Sequence, residues 1–282
     1  MAANTKFKIL GCTCGMVGGA ARVGAVTTPP FDHGPPAELT RHFAEVPDPP
    51  VKDDFWFDWG PVFYRGRLDG SARVLCIASD PGPTERIAGR SLVGNAGQRV
   101  QGFLAKLGLT HSYVCLNAWA YALHPSAASG EQKKLKEPDQ LKWRNRLYDL
   151  ATSSKLEAIV AFGGMAEEAL ALWTDRPDAA VKEVPHPSSR DEKKLLDEWR
   201  AAIGDLRGVV TPDPDGNASG PNYGSKFTET DYAPIPRADL PFGAPAFLGD
   251  DAWVRQAGHA QNSVERPSPD DAHTLIWHAP PS

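Results

Sequence analysis

At 282 residues the chain is long enough to bury one sizeable core, or a domain with an appendage. Its 41% hydrophobic and 23% charged residues exclude a disordered or low-complexity polypeptide and fit an ordinary globular protein. The net charge of −5 offers no bulk attraction to nucleic acid, so any such binding must use a local basic face. No apolar run approaches the roughly 20 residues of a membrane span. Lys6 and Lys8 precede a short apolar stretch that glycines interrupt, a poor signal peptide, and a cytoplasmic location is expected.

Residues 1–35 are rich in Gly, Pro and Ala and read as irregular. A short helix is expected over 37–46, with Leu39, His42, Phe43 and Val46 at helical spacing. The segment from Asp54 to Tyr64 is dense in aromatics and reads either as a cover for the core or as a base-stacking platform. An alternating pattern follows. Strands are expected at Arg73–Ser79, Tyr113–Ala118, Ala158–Phe162 and Val181–Val184. Between and after them come helices at Ala96–Leu107, Gln140–Ser153, Met165–Trp173 and Glu192–Ala202. Strands alternating with helices imply an α/β domain, residues 51–208, with a short central parallel sheet of about four strands and helices on both faces. Residues 1–50 form an irregular N-terminal segment. Residues 209–282 turn rich in Pro, Gly, Asp and Asn, with scattered aromatics, and are expected to wrap on the domain as an extension.

Cys76 and Cys115 sit inside apolar strands and read as small buried hydrophobes. Cys12 and Cys14 are separated by one residue, not the two to four of a zinc or cluster knuckle, and no second pair follows; no metal site and no cofactor are expected.

Three strand ends carry polar signatures. The first strand runs into Asp80-Pro81-Gly82, where Pro fixes φ and Gly tolerates positive φ, so a carboxylate stands at the strand's carboxyl end. Asn117 closes the second, and His186-Pro187-Ser188-Ser189-Arg190 follows the fourth. In a parallel sheet these ends share one edge, where ligands of open α/β sheets sit. A carboxylate, an amide and an imidazole thus converge. Each has an ordinary structural alternative: a turn aspartate, a helix-capping asparagine and a packed loop histidine; Arg190 has one too, a solvated arginine at a helix start. Lys133-Lys134-Leu135-Lys136 reads as a solvated run or as a basic patch.

Over residues 70–200 this order of motifs resembles the uracil-DNA glycosylase superfamily. The resemblance rests on the Asp-Pro-Gly turn, the loop Gly89-Arg90-Ser91-Leu92-Val93-Gly94-Asn95-Ala96-Gly97-Gln98, the Leu116-Asn117 strand end and His186-Pro187-Ser188. Asp80 looks like the uracil-specific branch. Gly82, Glu85 and the Gly89–Gln98 loop look like the iron–sulfur branch, whose cysteine pattern is missing, so no cluster is expected. The resemblance implies a monofunctional, monomeric enzyme that flips uracil out of single- or double-stranded DNA, hydrolyses its glycosidic bond and releases free uracil. Asp80 and His186 are then catalytic. Asn117, Ser79 and Leu92 shape the uracil site, and Ser188, Ser189, Arg190 and Gln98 contact DNA. The chain departs from relatives at Gly82, where the uracil-specific branch has a Tyr that blocks the thymine methyl. It departs again at Leu92, where a Phe stacks on the base unless an aromatic such as Trp119 replaces it, and at Arg190, where relatives insert a Leu. Broadened base specificity follows. With no Lys in these motifs, no lyase activity is expected. Two other classes fit the same residues: a protein that traps damaged DNA without turnover, and a hydrolase of free nucleosides or nucleotides.

Overall fold

The structure, a computed structural model, describes residues 34–240 and two short paired stretches at 264–265 and 276–277. Cys12, Cys14 and the N-terminal glycine-rich stretch lie outside the described residues, as do Phe242, Phe247 and Trp253.

The body is a five-stranded sheet of order β1-β3-β2-β4-β5. β1 (Tyr64–Gly66) runs antiparallel to β3 (Tyr113–Asn117). β2 (Val74–Ala78), β3, β4 (Ala158–Phe162) and β5 (Ala180–Val184) are all parallel. The three central strands bury all five of their residues, which is why β2 and β4 read as unbroken apolar runs and β3 as four apolar residues closed by Asn117. Alternate side chains feed two cores. Leu75, Ile77, Val114, Leu116, Ile159 and Ala161 face one side, and Val74, Cys76, Cys115, Ala158, Val160 and Phe162 the other.

The first core is closed by α1 (Ala37–Ala44), α5 (Pro138–Ala151), α6 (Gly164–Ala171) and the aromatic segment before β1. The second is closed by α3 (Asn95–Lys106) and α7 (Glu192–Leu206). The helices bury apolar faces: Val100, Phe103, Leu104 and Leu107 at α3, Trp143 and Leu147 on α5, with Leu150 half-buried. Phe103, Phe162 and Trp199 meet edge-on at 5.4–5.7 Å, a geometry that suits their ring quadrupoles.

The sheet has one strand more than the four expected. β1 is only three residues long and carries Arg65 at its centre, fully buried, so it shows no apolar alternation. Two further α-helices lie outside the expected ones. α2 (Pro83–Ala88) starts at Pro83, which fits a first helical position but continues the turn chemistry of residues 80–82. α4 (Ala128–Lys134) covers part of the lysine run, where Lys134 pairs with Glu131 and Asp54 while Lys133 and Lys136 are exposed.

Residues 209–240 cross the second face. Asp213 accepts from the backbone N–H groups of Thr110, His111 and Ser112 at 2.8–3.1 Å. Tyr223 and Phe227 pack edge-on against Trp199. Asp239, fully buried, pairs with Arg65 at 2.8 Å and Arg67 at 2.9 Å and accepts from Tyr113 Oη at 2.8 Å. Beyond these, β6 (Val264–Glu265) and β7 (Ile276–Trp277) form a two-residue antiparallel pair. No helix among the described residues is long and apolar enough to cross a membrane.

Candidate functional site

Asp80, Asn117 and His186 stand at the carboxyl ends of β2, β3 and β5. Ala78 and Asn117 are register partners across β2 and β3, and Asp80 lies two residues beyond. His186 is two residues past Val184, the partner of Phe162 at the end of β4. The intervening strand β4 runs directly into Gly163-Gly164, which carry no side chains at this edge. Gly163 is required there. Its φ of 87° and ψ of 166° belong to a region that essentially only Gly occupies, and a Cβ would lie 2.8 Å from His186 Cβ.

Asp80 is half-buried. Burial pushes its carboxyl up from 3.8 to about 7; the Leu123 N–H, donating to Oδ2 at 2.9 Å, opposes the rise, the Glu85 charge adds to it, and Arg86 opposes it. Near neutrality both protonation states are therefore populated. Arg86 itself lies between the rings of Trp56 and Trp59, 5.0 Å from each.

Glu85 ties the loop after α2 to this corner. Its Oε1 accepts from the N–H groups of Val93 and Gly94, both at 2.8 Å. A Cβ at Gly82 would come within 2.7 Å of Glu85 Oε2, so the room a bulky side chain would need at position 82 is taken by this carboxylate. Within the pinned loop Leu92 holds φ at 53°, left-handed backbone that a branched side chain rarely adopts, and its side chain is buried.

Asn117 is buried, with its Nδ2 3.3 Å from Ser91 Oγ and its carbonyl accepting from Tyr148 Oη at 3.3 Å. Ser91, fully buried, is a neighbour that no local pattern announces. His186 is partly exposed. Burial lowers its pKa, so the neutral ring is favoured. The Ser188 N–H donates to Nδ1 at 3.1 Å, which places the ring proton on Nε2.

The loop beyond His186 borders a depression of about 400 Å³ lined by Asn95, Ala96, Arg99, Pro187, Ser188, Ser189, Arg190 and Tyr232. Arg190 and the first turn of α3 border this space, a chemistry that suits an anion, while the Arg99 guanidinium is engaged by the Pro187 carbonyl and the Tyr232 hydroxyl. Gln98 does not share it. With 1% exposure and its carbonyl accepting from Ala233 N–H, it is an interior residue, and the surface contact expected of it does not fit its position. Ser79 is half-buried, and its carbonyl accepts from Trp119 N–H. Trp119 is buried edge-on against Phe55 and presents no stacking face to solvent. In the aromatic segment Phe55 and Trp56 are buried. Phe57 and Trp59 are half-buried and line a separate depression of about 410 Å³ with His124 and Lys52.

Among the described residues no group of three or more His, Cys, Asp or Glu side chains is placed to hold a metal ion. The strand order places the Asp80 carboxyl, the buried Asn117 amide and the His186 imidazole at the carboxyl ends of β2, β3 and β5, the edge where ligands of open α/β sheets sit. No protein-family model matches the sequence, and no curated protein matches it.

Proposed function

We propose that the chain is a DNA glycosylase that hydrolyses the bond between uracil and deoxyribose. The observation that carries this reading is that Asp80, Asn117 and His186 share one sheet edge, on either side of a strand followed by two glycines. The reaction needs a base taken out of the stack, a reader for its edge, a water activated on one side and a donor for the leaving group. Asn117 offers a donor and an acceptor, complementary to uracil O4 and N3–H, whereas cytosine presents the reverse order. A mispaired buried amide can reject the wrong base by roughly 10⁴–10⁵.

Ionised Asp80 takes a proton from water as its oxygen bonds to C1′, and the carboxylate offsets the positive charge that develops on the sugar. The N1–C1′ bond breaks and its electron pair leaves with uracil. The Nε2–H of His186 donates to uracil O2 as negative charge grows there, a contribution of about 2.7–4 kcal/mol for a donor of this kind. Arg190, Ser188 and Ser189 hold the flanking phosphates. With position 82 filled by Glu85 and no ring at position 92, the pocket wall beside C5 is built differently from that of the uracil-specific branch, and other deaminated bases are candidate substrates.

The test is base release from single- and double-stranded oligonucleotides carrying one uracil. Release that falls at least a hundredfold in both Asn117→Ala and His186→Ala supports the reading. No release by the wild type, or release unchanged in the double variant, refutes it. Tight binding of the oligonucleotide without release identifies a trapping protein instead.

A further inference from the structure

Four successive carbonyls of the segment that carries His186 are each held. Val184 O accepts from Gly163 N–H at 2.7 Å, and His186 O accepts from Ser189 N–H at 2.8 Å. Pro185 O accepts from Trp199 Nε1–H at 3.0 Å. Pro187 O accepts from Arg99 Nη1–H at 2.5 Å. The first three holds come from the sheet, from α7 and from the turn itself. The fourth depends on the segment that follows α7. Tyr232 Oη accepts from Arg99 Nε–H at 2.9 Å, and the guanidinium lies 4.3 Å from the Phe227 ring and 5.4 Å from the Tyr232 ring. A planar guanidinium can donate along two edges and stack at once, which an ammonium cannot do.

This segment is itself fixed on both sides of Tyr232. Asp231 pairs with Lys106 at 2.9 Å, and its carboxylate also accepts from the N–H and hydroxyl of Thr228. Ala233 N–H donates to Gln98 O at 3.1 Å. Arg99 is therefore held by residues more than 120 positions away in sequence, the Tyr232 hydroxyl being 133 positions on.

The Pro187 carbonyl and the Ser188 N–H belong to one planar peptide unit. Arg99 holds the oxygen of that plane, and its N–H donates to His186 Nδ1. Fixing the oxygen fixes the direction of the N–H. That N–H in turn requires an unprotonated Nδ1 and leaves the proton on Nε2. We infer that Arg99 and Tyr232 are positioning residues that act through the Pro187–Ser188 peptide plane to hold His186 as the Nε2–H tautomer. The consequence for rate rests on the glycosylase reading; the tautomer does not.

Tyr232→Phe removes only the hydroxyl that orients Arg99, and Arg99→Met keeps much of the stem while removing both donors. Imidazole ¹⁵N spectra of the full chain report the tautomer directly. The wild type is expected to show a protonated Nε2 and a free Nδ1. Both variants are expected to show His186 as a mixture of tautomers, with the other histidines unchanged. On a uracil oligonucleotide, kcat is expected to fall about tenfold while KM and its salt dependence stay as in the wild type. Unchanged His186 tautomers in both variants would overturn the inference. So would a raised KM with a shallower salt dependence and intact kcat, which would make Arg99 a phosphate contact. If the wild type releases no uracil, the glycosylase reading fails while the spectra still decide the role of Arg99 and Tyr232.

Discussion

Replacing Asp80 by Asn is expected to stabilise the protein, and only where Asp80 would be ionised. The carboxyl titrates near 3.8 in an unfolded chain and near 7 in the fold, so the folded state holds the proton more tightly. A carboxyl raised in this way works against stability at high pH. As pH climbs from about 4 to 7 the wild type loses stability through this group, and the deficit persists above 7. The full shift corresponds to about 4 kcal/mol at 1.36 kcal/mol per unit. Asp80 is only half-buried, and solvent screens part of the shift, leaving about 1–3 kcal/mol. Asn is nearly isosteric, keeps an oxygen for the Leu123 N–H and cannot ionise. Urea unfolding at pH 8 should therefore show Asp80→Asn more stable than the wild type by about 1–3 kcal/mol, with the gain vanishing near pH 4. Uracil release should fall sharply in the same variant. A destabilised variant at pH 8, or a gain that does not change with pH, would refute the account of Asp80 as a carboxyl strained by its surroundings.

Glu85→Gln keeps an oxygen for Val93 and Gly94 but removes the charge that helps raise Asp80, so the acid limb of the pH–rate profile for uracil release should move to lower pH; an unmoved limb counts against the coupling. Asp239→Ala leaves Arg65 and Arg67 buried without their counter-charge and should cost about 3–5 kcal/mol in denaturant unfolding. Gly163→Ala forces a side chain into Gly-only backbone against His186 and should lower stability by about 1–3 kcal/mol, measured by thermal or urea unfolding, and reduce kcat through displacement of the ring.

The parts of the molecule that sequence reveals are those whose cause is local. β2, β3 and β4 are legible because four or five consecutive apolar residues end at turn or polar residues, and α3, α5 and α7 because one face repeats at helical spacing. Asp80, Asn117 and His186 are visible as polar residues at strand ends. β1 is hidden because the reason Arg65 can be buried stands 174 residues further on, at Asp239. Gln98 reads as exposed because it is polar and lies off the apolar stripe of α3; in the fold that side is covered by residue 233, as Gln101 is engaged by Arg65. The Leu123 N–H that holds Asp80 comes from 43 residues away, and a backbone donor leaves no trace in residue type.

The pairing of Arg65 and Arg67 with Asp239 also sets an order of events in synthesis. The two arginines leave the ribosome 174 and 172 residues ahead of their counter-charge. At 5–20 residues per second, that interval lasts on the order of 10–35 s. During it, β1 cannot bury its guanidinium without an uncompensated charge, and β3 keeps an open edge able to pair with another chain. The strand near the start of the domain is thus completed by a residue near the end of the segment that crosses its second face. A nascent chain halted before residue 239 is expected to be the form that recruits chaperones and aggregates.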